Sequence, residues 1–194
     1  MKEHGRRTRA LRRLQRGIER YYGLERAPDV ALFVEDGAGG EREMLLVRET
    51  DDALELKLVL PNAAPPPGAN DQFLQFVEGV SHFVYLVERA RTGLPATQLE
   101  LELQAEVDKF VMLGMGARQA DRRTRLELHT LLYERVEFLH PESSEAGHRY
   151  RFANELAARF TARLLDAEAQ SARLLLQRFY RAGQSDKIHL ARAA

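Results

Sequence analysis

Leu54-Glu55-Leu56-Lys57-Leu58-Val59-Leu60-Pro61-Asn62-Ala63-Ala64-Pro65-Pro66-Pro67-Gly68 is the stretch that divides the chain. Its first part alternates leucine with Glu55, Lys57 and Val59, the period-two pattern of a strand with one buried face. Its second part can continue neither strand nor helix, because proline lacks an N–H and holds φ near −65°. It favours an extended polyproline geometry and reads as a boundary. Working back from it, Val30 to Val34 and Met44 to Val47 are two more short apolar runs, separated by Glu35-Asp36-Gly37-Ala38-Gly39-Gly40 and by Thr50-Asp51-Asp52. Turn residues between successive strands predict a three-stranded antiparallel meander. Ahead of the meander, Leu11, Leu14, Ile18, Tyr21 and Tyr22 recur at helical spacing, and Gly23 follows where a left-handed cap would sit.

Working forward from the proline run, the pattern changes to helices. Asn70 or Asp71 can cap a helix that carries Phe73, Phe76, Val77, Val80, Phe83, Val84 and Val87 and ends near Gly93. Thr97-Gln98-Leu99-Glu100 has the form of a capping box, which opens a helix to about Leu113. The alternation Leu99-Glu100-Leu101-Glu102-Leu103 would also suit a strand, but length and cap favour the helix. After Gly114 and Gly116, Asp121 caps a third helix that runs to about His140, where Pro141 follows. A last helix over about 148–182 ends at Gly183. At 1.5 Å per residue it would be about 50 Å long, against a diameter of about 40 Å for a compact chain of this size.

The fold class is therefore α+β: an N-terminal helix and a three-stranded antiparallel meander, then a four-helix C-terminal part with a long last helix. In residues this is 1–60 for the helix and sheet, 61–69 for the proline-rich linker and 70–194 for the helical part, expected to pack with 1–60 as one domain.

Composition removes several classes of function. The chain has no cysteine, which excludes disulfides, thiolate metal sites and thiol nucleophiles. Its 194 residues carry 29 Lys+Arg against 29 Asp+Glu, so no whole-molecule field attracts nucleic acid or anionic lipid, and any partner must read a local patch. The N-terminus lacks an apolar signal region and no stretch approaches the roughly 18–20 apolar residues of a membrane span, so a cytoplasmic location is expected. Abundant Arg, Ala and Leu with scarce Lys suggest a GC-rich bacterial genome.

One patch stands out. Arg9, Arg12, Arg13, Arg16 and Arg20 fall on one face of the first helix, opposite its Leu/Ile/Tyr stripe. Such a face suits an anionic partner, nucleic acid included, and equally suits a solvated helix back. A second feature is the apolar end of the last helix, Leu174, Leu175, Leu176, Phe179 and Tyr180, more apolar surface than a stable monomer leaves wet if the helix is straight. It is expected to be an oligomer interface unless the chain kinks near Gln170-Ser171 or is covered by Ile188 and Leu190.

Other motifs point to ordinary structure. Gly37-Ala38-Gly39-Gly40 is followed by no Gly-Lys-Ser/Thr and opens no helix, so it reads as a hairpin loop and not as a phosphate cradle. Glu137 with His140 and Glu145 with His148 have i,i+3 metal-ligand spacing but adjoin each other across Pro141, unlike a ligand set on separate helices of a bundle. Glu78 and His82 share a helical face away from the apolar stripe and read as a hydrated surface pair. Arg135, amid Leu128, Leu131, Leu132, Val136 and Leu139, needs a carboxylate partner, for which Glu100 or Glu102 is expected. None of the five serines lies in a Gly-x-Ser-x-Gly elbow. No catalytic, cofactor-binding or metal-ligating residue is nominated.

The functional expectation is a non-enzymatic interaction or scaffold protein, acting as a homo-oligomer or as a subunit of a bacterial complex. The alternatives are nucleic-acid binding through the first helix and an enzyme whose site the sequence does not reveal.

Overall fold

The computed structural model of the chain describes residues 2–36, 43–49, 54–61, 65, 71–115 and 121–193. The hairpin loop Gly37–Gly40, the turn Thr50–Asp52, most of the proline run and Gly116 lie outside these residues. Two compact units emerge, Met1–Arg20 with Leu24–Pro95, and Tyr21–Gly23 with Ala96–Ala194.

In the first unit, helix α1 (Lys2–Tyr22) is followed by a short 3-10 turn (Val30–Leu32), strands β1 (Val34–Asp36), β2 (Met44–Glu49) and β3 (Leu54–Leu60), and helix α2 (Asp71–Arg91). The expected first strand begins late. Asp29 caps the turn by accepting from the Ala31 N–H at 3.2 Å, and Val30 is fully buried there instead of entering a strand.

The sheet is mixed and not an antiparallel meander. Its order is β1-β3-β2, with β2 antiparallel to β3 and β1 parallel to it, Val34 opposite Leu58 and Asp36 opposite Leu60. The physical reason is in the last turns of β3. Leu58, Val59 and Leu60 are all buried, and a strand buried on both faces belongs in the centre of its sheet. The Leu58 N–H donates to the Phe33 carbonyl at 2.8 Å, which starts the parallel pairing just ahead of β1.

Helix α2 belongs with this sheet in the first unit, which runs to Pro95. Its apolar residues Phe76, Val77, Val80 and Phe83 are fully buried. At Gly79 an added Cβ would meet Leu58 Cδ1 at 2.9 Å and Leu60 Cδ2 at 3.1 Å, so the helix lies directly on β3 there. Buried Arg7 of α1 donates to the Leu60 carbonyl at 3.0 Å, tying that helix to the same strand.

The second unit holds α3 (Gln98–Phe110), a π-turn (Val111–Met115), α4 (Arg122–Tyr133), α5 (Glu145–Leu165), α6 (Ala169–Arg181) and α7 (Gln184–Arg192). The alternation 99–103 is helical, and both halves of the Thr97/Glu100 capping box are made, at 3.1 and 2.8 Å. Helix α4 is shorter than expected. The buried Asn154 amide of α5 donates to the Leu132 carbonyl at 3.4 Å, and the chain leaves the helix at Glu134. Arg135 consequently lies in the exposed turn, and the Glu100 carboxylate serves its own capping box.

The four-helix description fails most clearly at the C-terminus. The expected single helix over 148–182 is α5 and α6, broken at 166–168 and followed by α7. The break contains neither glycine nor proline. Asp166 ends α5 while its carboxylate is held by Arg122 at the start of α4, at 2.5 and 3.1 Å. The break lets α6 turn back, so that Phe179 stacks on Phe160 of α5 with centroids 3.9 Å apart.

Candidate functional site

The arginine face of α1 is displayed as its periodicity implies. Arg9, Arg12, Arg13, Arg16 and Arg20 are exposed, while Leu11, Leu14 and Ile18 on the other side are buried. Arg12 is committed to Asp29, with its Nε at 2.8 Å and a terminal nitrogen at 2.7 Å from one carboxylate oxygen. That hydrogen bond holds the Asp29 carboxyl below its usual range and raises the Arg12 guanidinium. Beside the pair is a shallow cavity of about 290 Å³, lined by Arg12, Gln15, Arg16, Glu19, Arg26, Ala27 and Asp29. Its floor is structural. Buried Gln15 donates to the Pro28 carbonyl and accepts from the Val30 N–H, both at 2.9 Å, while Glu19 accepts from the Ala27 N–H at 3.1 Å. Arg16 of α1 and Arg26 beyond the helix, both lining this cavity, are exposed.

The expected oligomer residues all lie on α6, beyond the break, and differ in exposure. Leu174 is 61% exposed and Leu175 is half-buried, but Leu176, Phe179 and Tyr180 are buried. Three of the five therefore build the core of their own unit, because α6 folds back where a straight helix would have projected.

Behind α6 lies a buried polar network that the sequence reading missed. Lys187 of α7 is fully buried; its Nζ donates to Gln104 Oε1 at 2.6 Å and stands 4.3 Å from the Phe179 ring centroid. Gln104 donates to Asp108 Oδ1 at 3.0 Å and to the Tyr22 hydroxyl at 3.1 Å, and the Tyr22 hydroxyl donates to Asp108. Burial first, and then the Asp108 charge, push the Tyr22 phenol well above its ordinary range. Gln104 and Asp108 are one turn apart on α3, a spacing legible in sequence, but Tyr22 and Lys187 come from the far ends of the chain.

Glu78 and His82 are not the hydrated surface pair expected. His82 is buried at 8% exposure, so the pair is not a hydrated surface feature. Its Nδ1 lies 3.2 Å from Glu43 Oε1, and both side chains are about nine-tenths buried. Glu78, on the preceding turn of α2, brings a carboxylate oxygen within 4.8 Å of a His82 ring nitrogen. Glu43 is set in place by α2 itself: its backbone N–H donates to Gln75 Oε1 at 3.1 Å, and Gln75 in turn donates to Asp71 at 2.7 Å. The glycine at 79 clears the way, since a Cβ there would stand 3.0 Å from Glu43 Cγ. Nothing local in the sequence links Glu43 to α2, since His82 lies 39 residues further on.

The chain matches no family model, no curated protein and no solved structure.

Proposed function

We propose that this is a non-enzymatic interaction protein that docks a polyanionic partner, nucleic acid in the first instance, on the arginine face of α1. The observation that carries the reading is the exposure of Arg9, Arg13, Arg16 and Arg20 along one side of a helix whose opposite side is buried. Cations spaced along a helix can track phosphates without reading bases, so binding would be strongly salt-dependent and weakly sequence-dependent. Arg12 belongs to the scaffold of the face through Asp29. Assembly through the last helix has less support, since its geometric reason was a straight helix and Leu174 alone of the five expected residues is exposed.

Fluorescence anisotropy with labelled single- and double-stranded oligonucleotides tests the reading. We expect binding at low salt that weakens linearly in log-log form, by about 0.7–0.9 per phosphate engaged. Replacing Arg9, Arg13, Arg16 and Arg20 together by Gln should cost at least about tenfold in affinity and flatten that slope, with the circular-dichroism spectrum unchanged. No binding to any oligonucleotide at low ionic strength, or equal binding by the variant, would overturn it and leave the face a solvated helix back.

A further inference from the structure

We propose that the cavity beside the Arg12–Asp29 pair is a seat for a phosphate monoester, with Arg16 and Arg26 as the binding cations and Arg12 as a cation of fixed orientation. In a strand docked on α1 the occupant is the terminal phosphate, and to that extent the inference rests on the reading of that face.

The chain just after α1 assembles the seat. Glu19 accepts from the Ala27 N–H at 3.1 Å and Gln15 donates to the Pro28 carbonyl at 2.9 Å, so residues 27 and 28 are pinned against the helix. Arg26, one residue earlier, thereby lines the same cavity as Arg16. Arg12 lies one helical turn before Arg16, on the same face.

Charge decides the class of ligand. Three guanidiniums and two carboxylates line the cavity, and both carboxylates are engaged. Asp29 is held by Arg12, and Glu19 accepts from the Gln15 amide at 2.8 Å as well as from the Ala27 N–H. The exposed guanidiniums of Arg16 and Arg26 meet no carboxylate among the described residues. Arg12 sets its Nε and one terminal nitrogen on the same Asp29 oxygen, and its other terminal nitrogen has no partner among the described residues. The recess therefore presents free guanidinium donors beside carboxylates that are already hydrogen-bonded, which selects an anion rich in acceptor oxygens.

A phosphate monoester fits on charge and on shape. It carries about 1.5–2 negative charges at neutral pH and three acceptor oxygens, and guanidinium forks bind such oxygens bidentately. An internal phosphodiester carries a single charge and has a sugar on either side, so it suits the convex row of Arg9 and Arg13 and not a recess. At about 290 Å³ the cavity stands at the foot of the roughly 300–1,000 Å³ range of pockets that enclose a drug-sized ligand, the scale of a small anion.

The test compares one labelled oligonucleotide carrying a phosphate at its 5′ end, at its 3′ end or at neither, by fluorescence anisotropy. Calorimetry of the full chain with inorganic phosphate runs beside it. We expect one phosphorylated form to bind at least about tenfold tighter than the unphosphorylated strand, the worth of one charge-assisted hydrogen bond. Arg26→Gln should erase that ratio with the circular-dichroism spectrum unchanged, and Arg16→Gln should erase it while weakening all three strands. Arg123→Gln, exposed on α4, should leave the ratio as it is. Where no strand binds, or all bind equally, binding of inorganic phosphate that is lost in Arg26→Gln keeps the seat and assigns it to a free phosphate compound. No preference and no binding of inorganic phosphate overturn the seat, and the reading of α1 then stands or falls on strand binding alone. A preference that survives Arg26→Gln places the phosphate elsewhere and overturns the assignment.

Discussion

The Tyr22 hydroxyl shows how one residue can be set by groups from three parts of a chain. It donates to Asp108, accepts from Gln104, and its ring stacks on Tyr180 with centroids 4.3 Å apart. Tyr133, whose hydroxyl donates to the Glu106 carbonyl at 2.9 Å, is likewise pushed up, chiefly by burial. A phenol whose folded-state pKa lies above its unfolded value of about 10 favours the fold fully below pH 10. That contribution is lost as pH rises above 10, because only the unfolded chain ionises readily. We therefore expect stability to fall progressively above pH 10. In an alkaline titration followed at 295 nm, at least two of the six tyrosines should ionise only together with unfolding. Ionisation of all six on an intact near-ultraviolet circular-dichroism spectrum would contradict this.

At the scale of elements, the start of α5 and the start of α1 contrast in their glycines. Gly147 sits in the first turn of α5, where the Pro141 carbonyl oxygen would be 1.9 Å from an added Cβ, backbone against backbone with no side chain to move aside. The Ser144 cap, which accepts from the Gly147 N–H at 3.0 Å, and the Ser144 N–H to Pro141 carbonyl bond at 3.1 Å both depend on that close approach. Gly147→Ala should destabilise the protein by about 2–3 kcal/mol or more, the upper range for overpacking. Gly5, inside α1, has nothing within 4 Å of the same position. Gly5→Ala should stabilise by up to about 0.5–1 kcal/mol through helix propensity alone. Denaturant melts of the two variants check both signs.

At the scale of the whole molecule, charge is the property that composition settles. Equal numbers of acidic and basic residues place the isoelectric point near 7.0, so the protein has no net repulsion at neutral pH. We expect a solubility minimum near pH 7 at low ionic strength, relieved by salt and by moving a unit or two in either direction, measurable by light scattering. A flat solubility profile from pH 5 to 9 would count against it. No helix among the described residues is long and apolar enough to cross a membrane.

Periodicity and caps by themselves determined most of the local structure: the buried stripe of α1, the extent of α2, the Thr97 capping box, and the outward face of Arg9, Arg13, Arg16 and Arg20. These depend on residues at most a few positions apart, where spacing and hydrogen-bonding chemistry act directly. Tertiary structure alone decided the rest. β1 joined β3 and not β2, a pairing of Val34 with Leu58 and Asp36 with Leu60 that no local pattern encodes. α5 and α6 parted at 166–168 with neither glycine nor proline, where Asp166 meets Arg122 of α4. Glu43 reached His82, and Lys187 reached Gln104, across 39 and 83 residues, distances over which no periodicity operates.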